Sequence, residues 1–284
     1  MSLADPMQDA FAYCADLVRT ADRDRFIASL FAPADKRDAL YALYAFNAEI
    51  ARVREAAHQA LAGEIRLQWW SDVIAGERAG EALANPVAAA LLAIIERYRL
   101  SPARLIAMIE AHRFDLYDEP MRDLTQLETY ARQTSSVLFA LAVQVLAGAE
   151  ADVICAPAGV AYAVTGLLRA LPLHIARRQF YLPAALLDEY GVGLADLSAG
   201  RSSPGLDAAL RELRAFARRN LDKGREQMAQ LPQSAIPALL PLALVGPSLA
   251  RLEKSPPFQP AEMPLWRRQW LIWRAARNPQ RIAR

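Results

Sequence analysis

The sequence predicts an all-α fold in a single domain. Apolar residues recur at three- and four-residue spacing along every long stretch. Ala, Leu, Arg and Glu, all good helix formers, dominate the composition. No window of about four to eight residues alternates polar and apolar side chains as a half-buried strand does.

Taken in order, helices are expected over roughly 6–20, 35–58, 63–76, 83–97, 102–118, 124–147, 157–175, 205–230, 234–245 and 264–277. Local punctuation supports several of these boundaries. Asn85-Pro86 and Ser101-Pro102 each place a capping side chain before a proline suited to the first turn. Asp118-Glu119-Pro120 closes the helix that Pro102 opens. The Gly191 to Gly205 stretch, with four glycines, adjacent serines and a proline, reads as a loop too short to separate domains. No internal repeat or low-complexity tract is visible.

Composition narrows the function classes. The chain has 284 residues and is 54% hydrophobic, enough apolar material for a sizeable core. Its net charge of +2 implies neither a nucleic-acid footprint nor a trap for acidic substrates. Cys14 and Cys155 cannot staple a chain of this size and read as small apolar residues of a reducing compartment. Met1 to Pro6 show no basic flank or apolar run, so no export address is expected, and no transmembrane segment is expected elsewhere. A cytoplasmic protein is predicted. The three histidines, His58, His112 and His174, form no pair at metal-ligand spacing. A phosphate-binding glycine loop, a nucleophile elbow and a zincin motif are all missing from the sequence.

Four segments remain. The first runs from Asp38 to Glu55 through Tyr41, Tyr44, Phe46, Asn47 and Arg52. The second is Ile65-Arg66-Leu67-Gln68-Trp69-Trp70, and the third is Arg113-Phe114-Asp115-Leu116-Tyr117-Asp118-Glu119. The fourth extends from Thr165 to Pro183 through Arg169, Pro172, His174, Arg177 and Arg178. In order and spacing, these segments resemble the squalene/phytoene synthase family. The resemblance implies an isoprenoid-synthase-type helical bundle around a central cavity.

Catalytic members of that family join two isoprenyl diphosphates. Departure of a diphosphate needs Mg²⁺ to neutralise the developing charge, and Mg²⁺ demands oxygen ligands. The resemblance places one acidic cluster after Tyr44-Ala45-Phe46, where this sequence has Ala51, Arg52 and Glu55. It places the second after Leu167-Leu168-Arg169, where Ala170, Leu173 and His174 stand. Of the expected acids only Glu55 survives, as a conservative replacement, and Arg52 would repel a cation. No metal and no cofactor is therefore expected.

Pro172, His174, Arg177, Arg178, Leu182 and Pro183, with Arg66, Gln68 and Trp70, are similar to one branch of the family, the phytoene-synthase-like assembly factors of respiratory complex I. That likeness implies an accessory role without prenyl transfer, with a complex I subunit or assembly partner, in a bacterial relative lacking a mitochondrial presequence. The alternative is an active phytoene- or squalene-type prenyltransferase with a rearranged site, which would use Mg²⁺. A third class is a carrier that keeps an isoprenoid or lipid ligand in the cavity.

The candidate cavity or anion-binding residues are Tyr44, Asn47, Arg52, Glu55, Asp115, Arg169, His174, Arg177 and Arg178. Each has a plainer reading. Tyr44 and Asn47 could pack a helix interface, and Trp69-Trp70 reads first as core. Asp115 with Asp118 and Glu119 could hold a lone cation, although such a run is more often a solvated helix end. Arg169, His174, Arg177 and Arg178 are expected within one helix, kinked at Pro172. They are either a cationic cavity wall or ordinary surface.

At the C-terminal end, Trp266, Trp270 and Trp273 share one helical face, and six arginines with no acid lie between Leu265 and Arg284. The favoured reading docks the tryptophan stripe on the core with the arginines in solvent. The competing reading makes Trp266, Arg267, Trp270 and Arg274 contacts to an anionic membrane surface, peripheral to the inner membrane.

Overall fold

The computed structural model describes residues 6–57, 59–279 and 282. Four positions used above, the Met1 start, His58, Arg281 and Arg284, lie outside them. Among the described residues the regular structure is helical throughout, with no strand. The helices gather into two compact units, each assembled from separate stretches of chain.

The first unit comprises Met1–Leu116, Leu138–Ala151 and Leu231–Pro241. Helices Pro6–Ala21, Ala34–Ala51 and Pro86–Tyr98 pack on one another. Every residue from Ala39 to Phe46 is buried, so the middle of Ala34–Ala51 is a core helix rather than a surface one. Leu40, Leu43, Phe46, Ile50, Leu91 and Ile94 are fully inaccessible. Asn85 Oδ1 accepts from the backbone N–H groups of Val87 and Ala88, both at 3.0 Å, with Pro86 in the first turn. Helix Pro102–His112 also begins as expected, but its Ser101 side chain makes no capping bond.

The second unit comprises Tyr117–Val137, Asp152–Gln230 and Leu242–Arg284. Helix Asp152–Arg169 lies along Pro204–Met228, closely enough that glycine is required at the crossing. A Cβ on Gly224 would stand 2.9 Å from the Ala158 backbone, and one on Gly159 would overlap the Ser136 backbone. Arg132–Ser136 is a π turn, and Ser136 Oγ donates to the Ala156 carbonyl at 2.7 Å.

Several expected boundaries move, each for a local reason. The predicted 157–175 helix starts earlier, at Asp152, and carries Pro157 inside it. Proline leaves the carbonyl four residues back without its N–H partner. With its amide turned to suit its neighbours, Gln227 donates to that Val153 carbonyl at 3.0 Å. The same helix ends at Arg169, and a second helix, Leu171–Ala176, follows with Pro172 in its first turn. Pro172 thus opens a helix instead of kinking one. The 35–58 helix is interrupted at Arg52, whose φ of −103° and ψ of 11° separate Ala34–Ala51 from Val53–Ala56. Short helices at Arg23–Ser29, Ala184–Glu189 and Leu194–Ser198 were not expected, and the last falls within the predicted Gly191–Gly205 loop. Such pieces are too short for a periodic signal.

Two stretches, Asp152–Arg169 and Gln233–Leu252, are long and apolar enough to cross a membrane by composition alone, with mean hydropathies of 1.2 and 1.6. Half or more of each is buried in the protein, as for core helices. Pro237, Pro241 and Pro247 break the second into short α and 3₁₀ turns.

Candidate functional site

In the first unit, the helix Ala34–Ala51 sends its predicted site residues to different places. Tyr44 is buried, with the buried Arg25 guanidinium 5.6 Å from its ring centroid. Arg25 is held in turn by Asp22 at 2.5 Å. Tyr44 is therefore a core residue that helps accommodate an internal charge. Asn47 is half-buried one turn later. Beyond the break, Arg52 Nε lies 3.3 Å from Glu55 Oε2. These two line a cleft of about 440 Å³ with Leu17, Ala48, Glu49 and Arg66. Its charged lining is balanced, two carboxylates against two guanidiniums. Glu49 and Arg66 lie within the motif segments, but no local signal in the sequence marks either as a site residue.

A neighbouring cleft of about 230 Å³ shares Glu49 and Arg66 and is closed by Trp69, Trp70 and Val53. Trp70 packs edge-on to Phe46 with centroids 5.2 Å apart, as a core residue should. Trp69 is only half-buried and donates its indole N–H to Glu81 at 3.0 Å. The Gln68 of the Arg-x-Gln-x-Trp motif accepts from Arg113 at 3.0 Å and donates to Asp72 at 2.7 Å. Asp72 and Glu81 both pair with Arg78. The Gln68 amide and the Arg78 guanidinium hold the Asp72 carboxyl below its ordinary range. Gln68 thus ties helix Ala60–Ala75 to the 3₁₀ turn Arg113–Leu116.

Asp115 does not sit at a solvated helix end. It is buried on the 3₁₀ turn Arg113–Leu116, with Oδ2 2.7 Å from His112 Nδ1, and its carbonyl accepts from Arg54 at 3.1 Å. In the second unit, Asp118 pairs instead with Arg178 at 3.2 Å. Among the described residues no three His, Cys, Asp or Glu side chains gather as a metal site.

The second-unit cations do not form one helical wall. Arg169 is half-buried at the end of its helix, and His174 belongs to the next, its ring 4.7 Å from that of Tyr181. Arg177 is the exposed C-cap residue, and Arg178 is exposed in a left-handed turn at φ 56°. Ala170, at φ −90° and ψ 6°, separates the two helices. A separate cleft of about 680 Å³ lies beside Leu168 and Leu171, lined by Arg211, Arg214, Lys254, Asp207 and Glu253. Burial holds the Arg214 guanidinium below its usual range. No local motif marks those residues, which come from helix Pro204–Met228 and the turn after Leu252.

The C-terminal helix Leu265–Arg277 reverses the favoured expectation. Trp266, Trp270 and Trp273 are 69%, 45% and 47% exposed, whereas Ile272 and Ala275 are buried. The helix docks on its small aliphatic face and leaves the tryptophans outside.

Residues 18–274 match the Squalene/phytoene synthase family. The chain belongs to that family. NADH dehydrogenase (ubiquinone) complex I, assembly factor 6, of Rattus norvegicus is 28% identical over 87% of this chain and 74% of its own length. Phytoene synthase of Thermus thermophilus is 26% identical over 77% of this chain and 74% of its own. A dehydrosqualene synthase in complex with ligand shares the fold at a TM-score of 0.83, with 17% identity, covering 97% of this chain and 99% of that one. The fold is the helical one of the squalene/phytoene synthase family.

The Mg²⁺ that the family's chemistry implies needs several oxygen ligands. The first cluster's positions offer one carboxylate, Glu55, already paired with Arg52. Those of the second offer Ala170, Leu173 and His174. These residues do not fit the ion.

Proposed function

We propose that this chain is a non-catalytic member of the squalene/phytoene synthase family that acts in the assembly of respiratory complex I. The Arg52–Glu55 pair carries this reading: a guanidinium stands where the family's diphosphate chemistry calls for a metal-binding carboxylate. The likeness to the assembly factor of Rattus norvegicus over most of the chain supports it. The motif residues Gln68 and Asp115 are consistent with it, because both are spent on internal hydrogen bonds rather than on a substrate. On this reading both units belong to one functional domain, the partner is a complex I subunit or an assembly intermediate, and the site of action is the cytoplasmic face of the inner membrane.

The test is genetic and biochemical. Cells lacking the chain should show less assembled complex I on native gels stained for NADH oxidation. Wild type and the double variant Glu49→Gln/Glu55→Gln should restore it equally. Normal complex I in the deletion strain, accompanied by a loss of squalene- or phytoene-derived products, would support the prenyltransferase alternative instead.

A further inference from the structure

One face of helix Leu265–Arg277 is not consumed by the fold. Trp266, Trp270 and Trp273 follow one another at four- and three-residue intervals and are all exposed, three of the protein's five tryptophans on a single side of one helix. Ile272 and Ala275, on the opposite side, are the buried residues of the helix. The Arg268 Nε is buried as well, which removes that arginine from the outer face.

The outer face is also cationic. Arg274 Cζ lies 4.9 Å from the Trp270 ring centroid, and Arg277 Cζ lies 5.3 Å from that of Trp273. These cation–π contacts keep two guanidiniums level with the indoles. Arg267 is exposed at the flank of that face. No Asp or Glu occurs from Leu265 onward, and the preceding acid, Glu262, lies before the helix begins.

We propose that this face docks on an anionic lipid bilayer, with the indoles of Trp266, Trp270 and Trp273 at the headgroup–acyl boundary and Arg267, Arg274 and Arg277 on lipid phosphates. Charge selects the occupant, since a surface without acids pairs with a surface of negative sign. Shape agrees, because the indoles form a convex row along a helix roughly 20 Å long, suited to a plane rather than a groove. Indoles favour the interfacial level because their bodies are apolar and their N–H groups seek water. A guanidinium stacked on each of two indoles supplies the phosphate contact at the same depth. The proposal stands independently of the role in complex I assembly, and either can fail alone.

Flotation of the full-length protein with vesicles tests it. One set contains phosphatidylglycerol in phosphatidylcholine and the other phosphatidylcholine alone, each at low and at high salt. The protein is expected to float with the anionic vesicles at low salt and to be released at high salt, because the screening length shrinks from about 10 Å at 0.1 M to about 3 Å at 1 M. Each arginine near an anionic surface raises partitioning roughly five-fold, so Arg267→Gln/Arg274→Gln/Arg277→Gln should weaken binding about a hundredfold. None of the three positions is buried, and an unchanged circular dichroism spectrum and melting temperature would show that the fold is intact. Should that variant misfold, lipids brominated near the headgroup provide a second readout. They should quench wild-type tryptophan fluorescence more than that of Trp266→Phe/Trp270→Phe/Trp273→Phe. Failure to float with anionic vesicles at low salt would overturn the proposal. Equal binding to neutral vesicles, or binding indifferent to the arginines, would overturn it too. Capture of a protein partner by this face without vesicle binding would assign the surface to protein contact and likewise overturn it.

Discussion

Arg52 and Glu55 stand one helical turn apart, with Nε 3.3 Å from Oε2, at the point where Ala34–Ala51 gives way to the next turn. The side chains are 57% and 37% exposed, so the pair adds no more than about 1 kcal/mol to stability. Its consequence is electrostatic. The surviving carboxylate at the family's first acidic cluster is neutralised locally, and a cation approaching it meets a guanidinium.

The two thiols offer a pH test. Burial pushes Cys14 and Cys155 up to about 12 each, with desolvation the largest cause. At pH 8 about one native thiol in ten thousand would be ionised, so a thiol-specific reagent should label neither residue until denaturant is added. The sign for stability follows from linkage. Folding keeps these protons on, so the contribution is complete below the unfolded thiol value and declines as pH rises from about 9 toward 12. Fast labelling of the native protein would contradict the burial of both residues.

Asp115 is expected to be structural. Asp115→Ala should lower unfolding free energy by about 3 kcal/mol, since it strips a buried partner from His112. Urea denaturation measures this. A change below about 0.5 kcal/mol would mean that the His112–Asp115 contact contributes nothing to the fold.

Two glycines on one helix should respond in opposite directions. Gly159→Ala drives a methyl into the Ser136 backbone and should destabilise by about 1–3 kcal/mol. Gly166 has open space where its Cβ would stand, and Gly166→Ala should stabilise by about 0.5–1 kcal/mol through helix propensity. Shifts in denaturation midpoint of the same sign for both would contradict the close crossing of Asp152–Arg169 with its neighbours.

The long helices were legible because their apolar period is strong, and the Asn85-Pro86 start because its capping chemistry is local. The break at Ala170 was not, since Leu171 and Pro172 fit either a kinked helix or a new one. Arg178 consequently turns up on the surface beside Asp118 rather than in a cationic wall. Within the candidate site, the loss of acids at Ala51 and Arg52 could be read residue by residue. The participation of Glu49 and Arg66 could not, because their meeting depends on how two helices pack. The tryptophan stripe misled for a related reason: helical spacing defines a face but does not say which way it points. Ile272 and Ala275, the less conspicuous face, are the ones that dock.

We propose that the Arg52–Glu55 site retains no diphosphate chemistry. This is tested most directly by incubating the purified protein with radiolabelled farnesyl or geranylgeranyl diphosphate and Mg²⁺ or Mn²⁺, then measuring pyrophosphate release. Release no faster than in the protein-free control is expected, for wild type and Glu55→Ala alike. Metal-dependent release by the wild type that disappears in Glu55→Ala would contradict it.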